Sequence, residues 1–496
     1  MSSISTVERE RPIEAPSSAS ARAVGTRSGP DLGLVFTALF GVFGWAIGIS
    51  KLSDNSFFWH LRTGEYILDH GIPHHDPFSY TAPGARWVAQ SWLAEVLDGA
   101  VYRTFGAIGV RLLVGLVGVS IGVLAYRLAL HLVRDRVVAC GLTIAALAGV
   151  YTVWSERPLL LGVAFLLVLV WAVEVPGSVV GRHAMVAIPV LMWLWANTHG
   201  TYQLGFAYLG LHLLGRWFDG SRPWEGAERR LLIGAVAGFL VAFVNPYGVE
   251  LVTFPIHLLS RGDILSHIVE WKSPDFRRSW GIALALWLAV YACALARGKH
   301  RVTRRDLVVT LPMLFLALWA ARNVAVAPLI CLPVVARAYA RDREHPSEVS
   351  AFLVKSALAL LTVVAVVMGV QASSERGFDF STYPVQAMRY VERHGLLGRH
   401  LLTTDAAAGY TILRYYPEQK VFIDDRYDMY PRGVIFDYFA LTSGRPGWAK
   451  ILDHYRVDVI VWPKGASLAA LLATSNSWRR VYRDATDAVW VRRGSS

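Results

Sequence analysis

Eleven apolar runs constrain what this chain can fold into more than any other feature of its sequence. They lie near residues 32–52, 107–132, 137–153, 158–175, 184–198, 203–218, 230–245, 280–297, 306–320, 323–340 and 351–370. A helix that crosses a bilayer needs ~20 apolar residues, and these runs approach that length. Charged residues make up only 17% of the chain, against roughly 25% in soluble domains. The sequence therefore predicts an α-helical polytopic membrane protein with about 11 transmembrane helices.

The basic residues fall in alternate loops and thereby predict the orientation. Cytoplasmic loops of membrane proteins carry an excess of lysine and arginine. Here that excess falls in the loops near 134–136, 182–183, 216–230, 297–305 and 337–343. We therefore expect a multi-pass protein of the inner (plasma) membrane with a cytoplasmic N-terminus. The same distribution accounts for the net charge of +12 without nucleic acid, which would require a continuous basic surface.

Composition divides the chain into three parts. Residues 1–30 are polar and predict a disordered cytoplasmic tail. Residues 31–370 are predicted to form the transmembrane domain, with a large first outer loop at 53–106. Residues 371–496 change to short strands alternating with helices, which predicts a small extracytoplasmic α/β domain. Its strands are predicted at 400–404, 420–424, 457–462, 478–483 and 488–492.

The first outer loop predicts two helices in the plane of the membrane interface. Phe57, Phe58 and Leu61 alternate with polar residues in the first, as is typical of interfacial helices. The second is expected to end near Tyr102.

Polar side chains concentrate on the outward side of the predicted bundle. Charged groups near a membrane are costly and therefore indicate function. The set comprises Asp54, His60, Glu65, His74, His75, Asp76, Gln90 and Glu95 in the first outer loop, and Glu156, Arg157, Asn197, His199, Asn245, Glu270, Asp275, Arg322 and Asn323 in later outward turns. A transporter would place such groups near the bilayer midplane. Their position at one interface favours an enzyme that works at the outer leaflet.

Short motifs along the chain carry a resemblance to a known superfamily. They are DNSFFWHL at 54–61, DPFSYTAPG at 76–84, WVAQSWLAE at 87–95, Arg157-Pro158, WANTHG at 195–200, NPYG at 245–248, EWKSPDF at 270–276, Arg322-Asn323 and VFIDDR at 421–426. With these motifs the chain resembles the GT-C superfamily, whose members are membrane glycosyltransferases that use polyprenyl-phosphate-linked sugars. Within it, the chain is most similar to a large bacterial group of poorly characterised GT-C-like proteins. The resemblance covers residues 32–496.

The resemblance implies an inverting transfer of sugar from a polyprenyl phosphate to a hydroxyl of a glycan, lipid or protein. It implies that a carboxylate in the first outer loop takes the hydroxyl proton. Asp54 holds that position, and Asp76 is the second candidate. Many relatives have a second acid two positions after the first, where this chain has Ser56. Because that acid is missing, we expect no metal cofactor, although a divalent metal stays an open alternative.

The negative charge that grows on the leaving lipid phosphate calls for cationic groups. Arg157 and Arg322 are predicted to hold the phosphate, and snorkelling to the interface is the alternative. His60, Asn197, His199, Glu270 and Asn323 complete the set expected to contact phosphate or sugar. The cluster at 424–428, with Asp424, Asp425, Arg426 and Asp428, is interpreted as an ordinary polar turn, with acceptor binding as the alternative.

Two other functions stay open at this stage. The chain could be a non-catalytic carbohydrate- or lipid-binding membrane protein that keeps a GT-C body. It could also be a transporter of lipid-linked sugars.

Overall fold

Helices make up most of the chain, as the apolar runs predict. The computed structural model describes residues 31–297, 302–341, 349–375 and 377–494. The tail predicted at 1–30 lies outside these described residues.

The helices of the described residues comprise α-helices and two short 3-10 helices. The α-helices are α1 (Leu32–Gly48), α2 (Asn55–His70), α3 (Trp92–Val133), α4 (Arg136–Thr152), α5 (Leu159–Glu174), α6 (Val179–Arg182), α7 (Ala184–Ala196), α8 (Tyr202–Phe218), α9 (Gly226–Val241), α10 (Val249–Leu259), α11 (Gly262–Leu265), α12 (Ser279–Ala296), α13 (Arg304–Trp319), α14 (Ala327–Ala338), α15 (Ala351–Ser374), α16 (Val385–Arg393), α17 (Asp405–Tyr415), α18 (Arg432–Thr442), α19 (Trp448–His454) and α20 (Ser467–Thr474). The 3-10 helices are Val269–Trp271 and Ala321–Ala325. Each predicted apolar run coincides with one of these helices.

Three of the described helices are long and apolar enough to cross a membrane by length and composition, namely α3, α12 and α15. Six more apolar helices are shorter, with 10–17 residues, namely α1, α4, α5, α7, α10 and α14. Helix α15 leaves most of its apolar side chains uncovered, Phe352 being 75% exposed, as suits a helix surrounded by lipid. The number of crossings, predicted as about 11 from the sequence, stays a prediction.

Glycine residues let α1 and α3 approach each other closely. A β-carbon added to Gly44 would lie 2.0 Å from the carbonyl oxygen of Gly118. One added to Gly118 would lie 2.2 Å from the carbonyl oxygen of Gly44. Small residues at such crossings bring helix backbones into contact within membranes. This packing anchors the first outer loop to the helical bundle.

Helix α3 bends at Gly106, whose φ of +65° lies in the left-handed region. Glycine adopts this conformation without a steric penalty. The bend separates an outer segment that begins at Trp92 from the apolar segment that follows. The outer segment therefore ends at this bend, a few residues beyond the end that the sequence predicts near Tyr102.

Helix α2 is covered by the C-terminal part of the chain rather than by lipid. Phe57, Phe58 and Leu61 are fully buried. The ring of Phe58 packs edge-on against Phe380, with 5.3 Å between ring centroids. The prediction that α2 lies with its apolar side in the membrane interface is wrong for these residues, because residues far along the chain bury them.

The C-terminal part contains one four-stranded sheet with the order β1-β2-β4-β3. The strands are β1 (Leu401–Leu402), β2 (Val459–Pro463), β3 (Trp478–Arg483) and β4 (Asp487–Arg492). Strands β1 and β2 are parallel, and the other pairs are antiparallel. The strand predicted at 420–424 forms only isolated bridges, through Val421 with Ser79 and Leu401. Helix α18 was not predicted.

Backbone hydrogen bonds join this sheet region to the first outer loop. The Tyr80 amide donates to the Val421 carbonyl over 3.1 Å, and the Val421 amide donates to the Phe78 carbonyl over 3.0 Å. The Gly409 amide of α17 donates to Asn55 Oδ1 over 2.8 Å. These contacts bring the segment 421–428 beside the start of α2.

Candidate functional site

A cavity of about 660 Å³ lies where the first outer loop, the turns near 157, 199, 270 and 322, and the C-terminal part meet. Six of the nine predicted site residues line it, namely His60, Arg157, His199, Glu270, Arg322 and Asn323. They come from five separated stretches of the chain. The remaining three, Asp54, Asp76 and Asn197, do not line it.

Asp54 fixes the position of Arg157 at the wall of this cavity. Its side chain caps the N-terminus of α2, where Oδ1 accepts from the Phe57 amide over 2.9 Å. Arg157 donates from Nε to Oδ1 over 2.9 Å and from Nη2 to Oδ2 over 3.0 Å. Its Nη1 donates to Glu270 Oε1 over 3.0 Å. A guanidinium held by two carboxylates has a fixed orientation.

The pairing controls the ionisation of both partners. Burial opposes the ionisation of Asp54, but the charge and hydrogen bonds of Arg157 outweigh it and lower the pKa of Asp54. Burial likewise acts against the charged form of Arg157, yet Asp54 and Glu270 raise its pKa above the ordinary value. Both groups are therefore charged near neutral pH.

Arg322 lines the cavity with its charge unpaired. Among the described residues, no carboxylate lies within ion-pairing distance of its guanidinium and no hydrogen-bond acceptor contacts it. Its Cζ lies 4.4 Å from the ring centroid of Trp271. Burial lowers the pKa of Arg322; the more distant negative charge of Glu270 opposes this effect, and the positive charge of Arg157 adds to it. A partly buried cation in this situation is suited to bind an anionic ligand.

His199 lines the cavity with a neutral ring. Its Nδ1 accepts from the Thr201 amide over 3.2 Å, so the proton of the neutral ring sits on Nε2. Burial lowers the pKa of His199 to about 3, and Arg322 contributes to this. The side chain is therefore neutral at ordinary pH and offers an Nε2–H hydrogen-bond donor.

His60 shares a hydrogen bond with a buried acid. Its Nδ1 lies 2.7 Å from Glu95 Oε1, and its ring lies against the ring of Trp59 with 3.6 Å between centroids. Burial lowers the pKa of His60 to about 3, with Arg157 acting in the same direction. This neutral ring supplies polar contact without adding charge.

Two of the predicted site residues hold neighbouring parts of the chain together beside the cavity. Asp76 is buried, and its Oδ1 accepts from Arg426 Nη2 over 2.8 Å and from the Phe78 amide over 3.0 Å. Asn197 is fully buried, where Trp92 Nε1 donates to its Oδ1 over 2.8 Å. Asp76 therefore joins the outer loop to the C-terminal part, and Asn197 joins α3 to the turn after α7.

The cavity also contains residues that the sequence interpretation missed. Asp405, Asp425, Asp428 and Tyr438 line it from the C-terminal side. The cluster at 424–428 was interpreted as an ordinary turn. Asp425 instead accepts hydrogen bonds from Trp59 Nε1 over 2.5 Å and from Asn55 Nδ2 over 3.2 Å. The signal available in the sequence was the VFIDDR motif, in which two acids follow an apolar segment.

One stretch of the cavity wall is mostly apolar. It is formed by α10 and the residues after it, with Phe254, Pro255, Leu258, Leu259, Ile264, Leu265, Ile268 and Val269, and it includes Arg261 and His267. Leu259 is 62% exposed. The cavity is therefore amphiphilic, because both charged or polar groups and apolar side chains line it.

The described residues contain no group of three or more His, Cys, Asp or Glu side chains arranged to hold a metal ion. The expectation that no metal cofactor is needed stays a prediction.

Comparison with known proteins gives a result only at the level of structure. No protein-family model and no curated protein matches the sequence. The crystal structure of an oligosaccharyltransferase from Archaeoglobus fulgidus in the apo form matches with a TM-score of 0.51 and 12% identity, over 87% of this chain and 69% of that one. The chain shares its fold with this archaeal oligosaccharyltransferase.

A second solved structure is AglB from Archaeoglobus fulgidus, an archaeal oligosaccharyltransferase in complex with an inhibitory peptide and a dolichol-phosphate. It has a TM-score of 0.45 and 10% identity, over 86% of this chain and 69% of that one. The likeness to the apo structure confirms a GT-C-like fold, whereas membership of the bacterial group stays a prediction.

Proposed function

We propose that this protein is a membrane glycosyltransferase that moves a sugar from a polyprenyl phosphate to a hydroxyl acceptor, with inversion at the anomeric carbon. The observation that carries the proposal is the amphiphilic cavity, which Arg322 lines with its charge unpaired. A lipid phosphate has the matching character, because an anionic head is joined to an apolar chain. The shared fold with an oligosaccharyltransferase supports the reaction class.

The cationic groups suit the leaving phosphate. Arg322 offers its guanidinium for a bidentate contact. Arg157, oriented by Asp54 and Glu270, adds a second positive charge at the same wall. Fixed charges aimed at a group that becomes negative lower the barrier without reorganisation. The isoprenoid chain of the substrate would lie against the apolar wall formed by α10.

The attacking hydroxyl must lose a proton to a nearby base. Asp54, which the sequence predicts for this role, and Asp425 are the two candidates beside Arg157. The acceptor would enter from the C-terminal side, where Asp405 and Tyr438 line the cavity.

The test is sugar loss from radiolabelled undecaprenyl-phosphate glucose, galactose and mannose, measured on purified protein in lipid nanodiscs. The wild type should release or transfer one of these sugars. Arg322→Gln should lower kcat/KM by about 10²–10³-fold, the usual effect of removing one group that stabilises a developing oxyanion. Arg432→Gln is the matched control, because Arg432 pairs with Asp263 and does not line the cavity.

No turnover of any sugar donor by the wild type, with saturable binding of undecaprenyl phosphate, would contradict the proposal and favour a non-catalytic binding protein. Equal turnover by wild type and Arg322→Gln would contradict the assignment of the phosphate site.

A further inference from the structure

Asp54 and Asp425 differ in what holds their carboxylates. Asp54 gives both oxygens to the guanidinium of Arg157 and one to the Phe57 amide, and it does not line the cavity. A carboxylate paired in this way is stabilised in its charged form. It is therefore a weak base, and its contacts lie away from the space where a substrate would sit.

Asp425 lines the cavity and is held by neutral groups alone. Trp59 Nε1 donates to Oδ1 over 2.5 Å, while Asn55 Nδ2 and the Ser56 hydroxyl donate to Oδ2 over 3.2 and 2.5 Å. Among the described residues, no basic side chain lies within ion-pairing distance of it. Since a carboxylate oxygen accepts two hydrogen bonds, Oδ1 keeps a position for a hydroxyl group.

We propose that Asp425, from the C-terminal part of the chain, is the general base for the acceptor hydroxyl, and that Asp54 is a positioning residue that orients Arg157. This inference rests on the proposed glycosyl transfer. It moves the base from the first outer loop, where the sequence predicts it, to the C-terminal part of the chain. Asn55 and Ser56, the two residues that follow Asp54, then position the base, because both donate hydrogen bonds to Asp425.

With these groups, every bond and the proton of the proposed sugar transfer are accounted for. The acceptor oxygen attacks the anomeric carbon, and its proton passes to Oδ1 of Asp425. The bond between the anomeric carbon and the phosphate oxygen breaks, and the lipid phosphate leaves with the electron pair. Arg322 and Arg157 stabilise that phosphate. Asp425 later returns its proton to solvent.

The pKa shifts of Asp425 and Asp54 agree with the roles proposed for them as base and positioning residue. Burial raises the pKa of Asp425 to about 6. The positive charge of Arg157 and the hydrogen bond from the Ser56 hydroxyl act against this rise, and the negative charges of Asp424 and Asp54 add to it. Arg157 instead lowers the pKa of Asp54. A base with a pKa near the working pH transfers protons most effectively.

The experiment is a pH profile of the single-turnover rate between pH 4.5 and 8, in nanodiscs loaded with the undecaprenyl-phosphate sugar that the wild type consumes. Methanol and 2,2,2-trifluoroethanol serve as acceptor probes. The wild-type rate should fall as pH drops through about 6, because protonated Asp425 cannot act as a base. A base at Asp54 would give no such fall, since its pKa lies below the ordinary carboxyl value of about 4.

Variants identify the residue whose protonation causes the fall in rate at acidic pH. Asp425→Asn should lose about 10²–10⁴-fold in rate with methanol, lose less with the more acidic trifluoroethanol, and show no acidic fall. Asp54→Asn should lose up to about 10²-fold through misplacement of Arg157 and keep the fall. Asp428→Asn is the control, because burial also raises the pKa of Asp428 to about 6. It should keep the fall as well.

A wild-type profile that is flat down to pH 4.5 would overturn the assignment of Asp425, and this measurement needs no variant to fold. An Asp425→Asn variant that keeps the wild-type rate with methanol, beside an Asp54→Asn variant that loses more than about 10²-fold, would return the base to Asp54. Both results presuppose wild-type turnover, so a wild type inert towards every sugar donor is a separate outcome that removes the proposed function itself.

Discussion

The arginine side chains at this site differ in whether carboxylates of the protein already pair with their charge. Arg426 is buried and donates to both Asp76 and Asp424 over 2.8 and 2.6 Å. Its guanidinium also lies over the rings of Trp59, Phe78 and Trp87. Arg322, by contrast, lies over the ring of Trp271 and forms no ion pair with the residues that the structure describes. The first arrangement stabilises the protein, and the second leaves a cation available to a ligand.

Asp76→Asn is therefore expected to act on stability. Removing one partner of a buried ion pair costs about 3 kcal/mol or more, because the remaining charge stays buried. The loss should appear as a lower thermal unfolding temperature in detergent. Glu418→Gln, at an exposed position of the C-terminal part, should leave that temperature within a degree or so of the wild type, since surface substitutions have small effects. A folded, wild-type-stable Asp76→Asn protein without turnover would instead support the catalytic role predicted for Asp76.

The sequence could indicate Arg157 and Arg322 because each is a charged residue between two apolar runs. It could not distinguish Asp425 from the other acids of the VFIDDR motif or of an ordinary turn. The groups that bind it, Asn55, Ser56 and Trp59, precede it by more than 360 residues. A polar cluster after a strand is common in ordinary turns, and only the docking of the C-terminal part on α2 distinguishes this one.

At the scale of helices, close packing sets the position of the site. The contact of α1 with α3 depends on Gly44 and Gly118, and that of α2 with α3 on Gly64, where an added β-carbon would lie 1.9 Å from the Glu95 carbonyl oxygen. Asp54, at the N-terminus of α2, is thereby held beside the outward end of the bundle. Periodicity predicts the helices, but it gives no information about which faces meet.

Gly44→Ala should consequently be destabilising. The added methyl group would meet the Gly118 carbonyl 2.0 Å away, and the separation of the helices should cost about 1–3 kcal/mol, as is typical of overpacking. Gly141→Ala in α4 is the matched control, because nothing lies within 4 Å of its added β-carbon. That change should be neutral or stabilising, since alanine favours the helix by up to about 1 kcal/mol over glycine. Equal unfolding temperatures for the two variants would refute the close contact.

Across the whole molecule, the cavity exists only because segments distant in sequence converge. The first outer loop, the turns at 157, 199 and 322, the region of α10 and the C-terminal part each supply a wall. The eleven apolar runs, the alternation of basic loops and the α/β pattern after residue 371 could be predicted from composition and periodicity. The burial of α2 beneath the C-terminal part could not, because an amphipathic pattern does not reveal whether lipid or protein covers its apolar side.

The most direct test of the account is to locate the lipid phosphate. An undecaprenyl phosphate analogue with a diazirine in its first isoprene unit would be photolysed with the protein in nanodiscs, and the modified residues mapped by mass spectrometry. The account predicts adducts on the apolar wall between Phe254 and Trp271, suppressed by excess undecaprenyl phosphate and by Arg322→Gln. The matching undecaprenol analogue, which lacks the phosphate, should not label that wall selectively. Adducts spread over the exposed side of α15, with no effect of competitor or variant, would contradict the account.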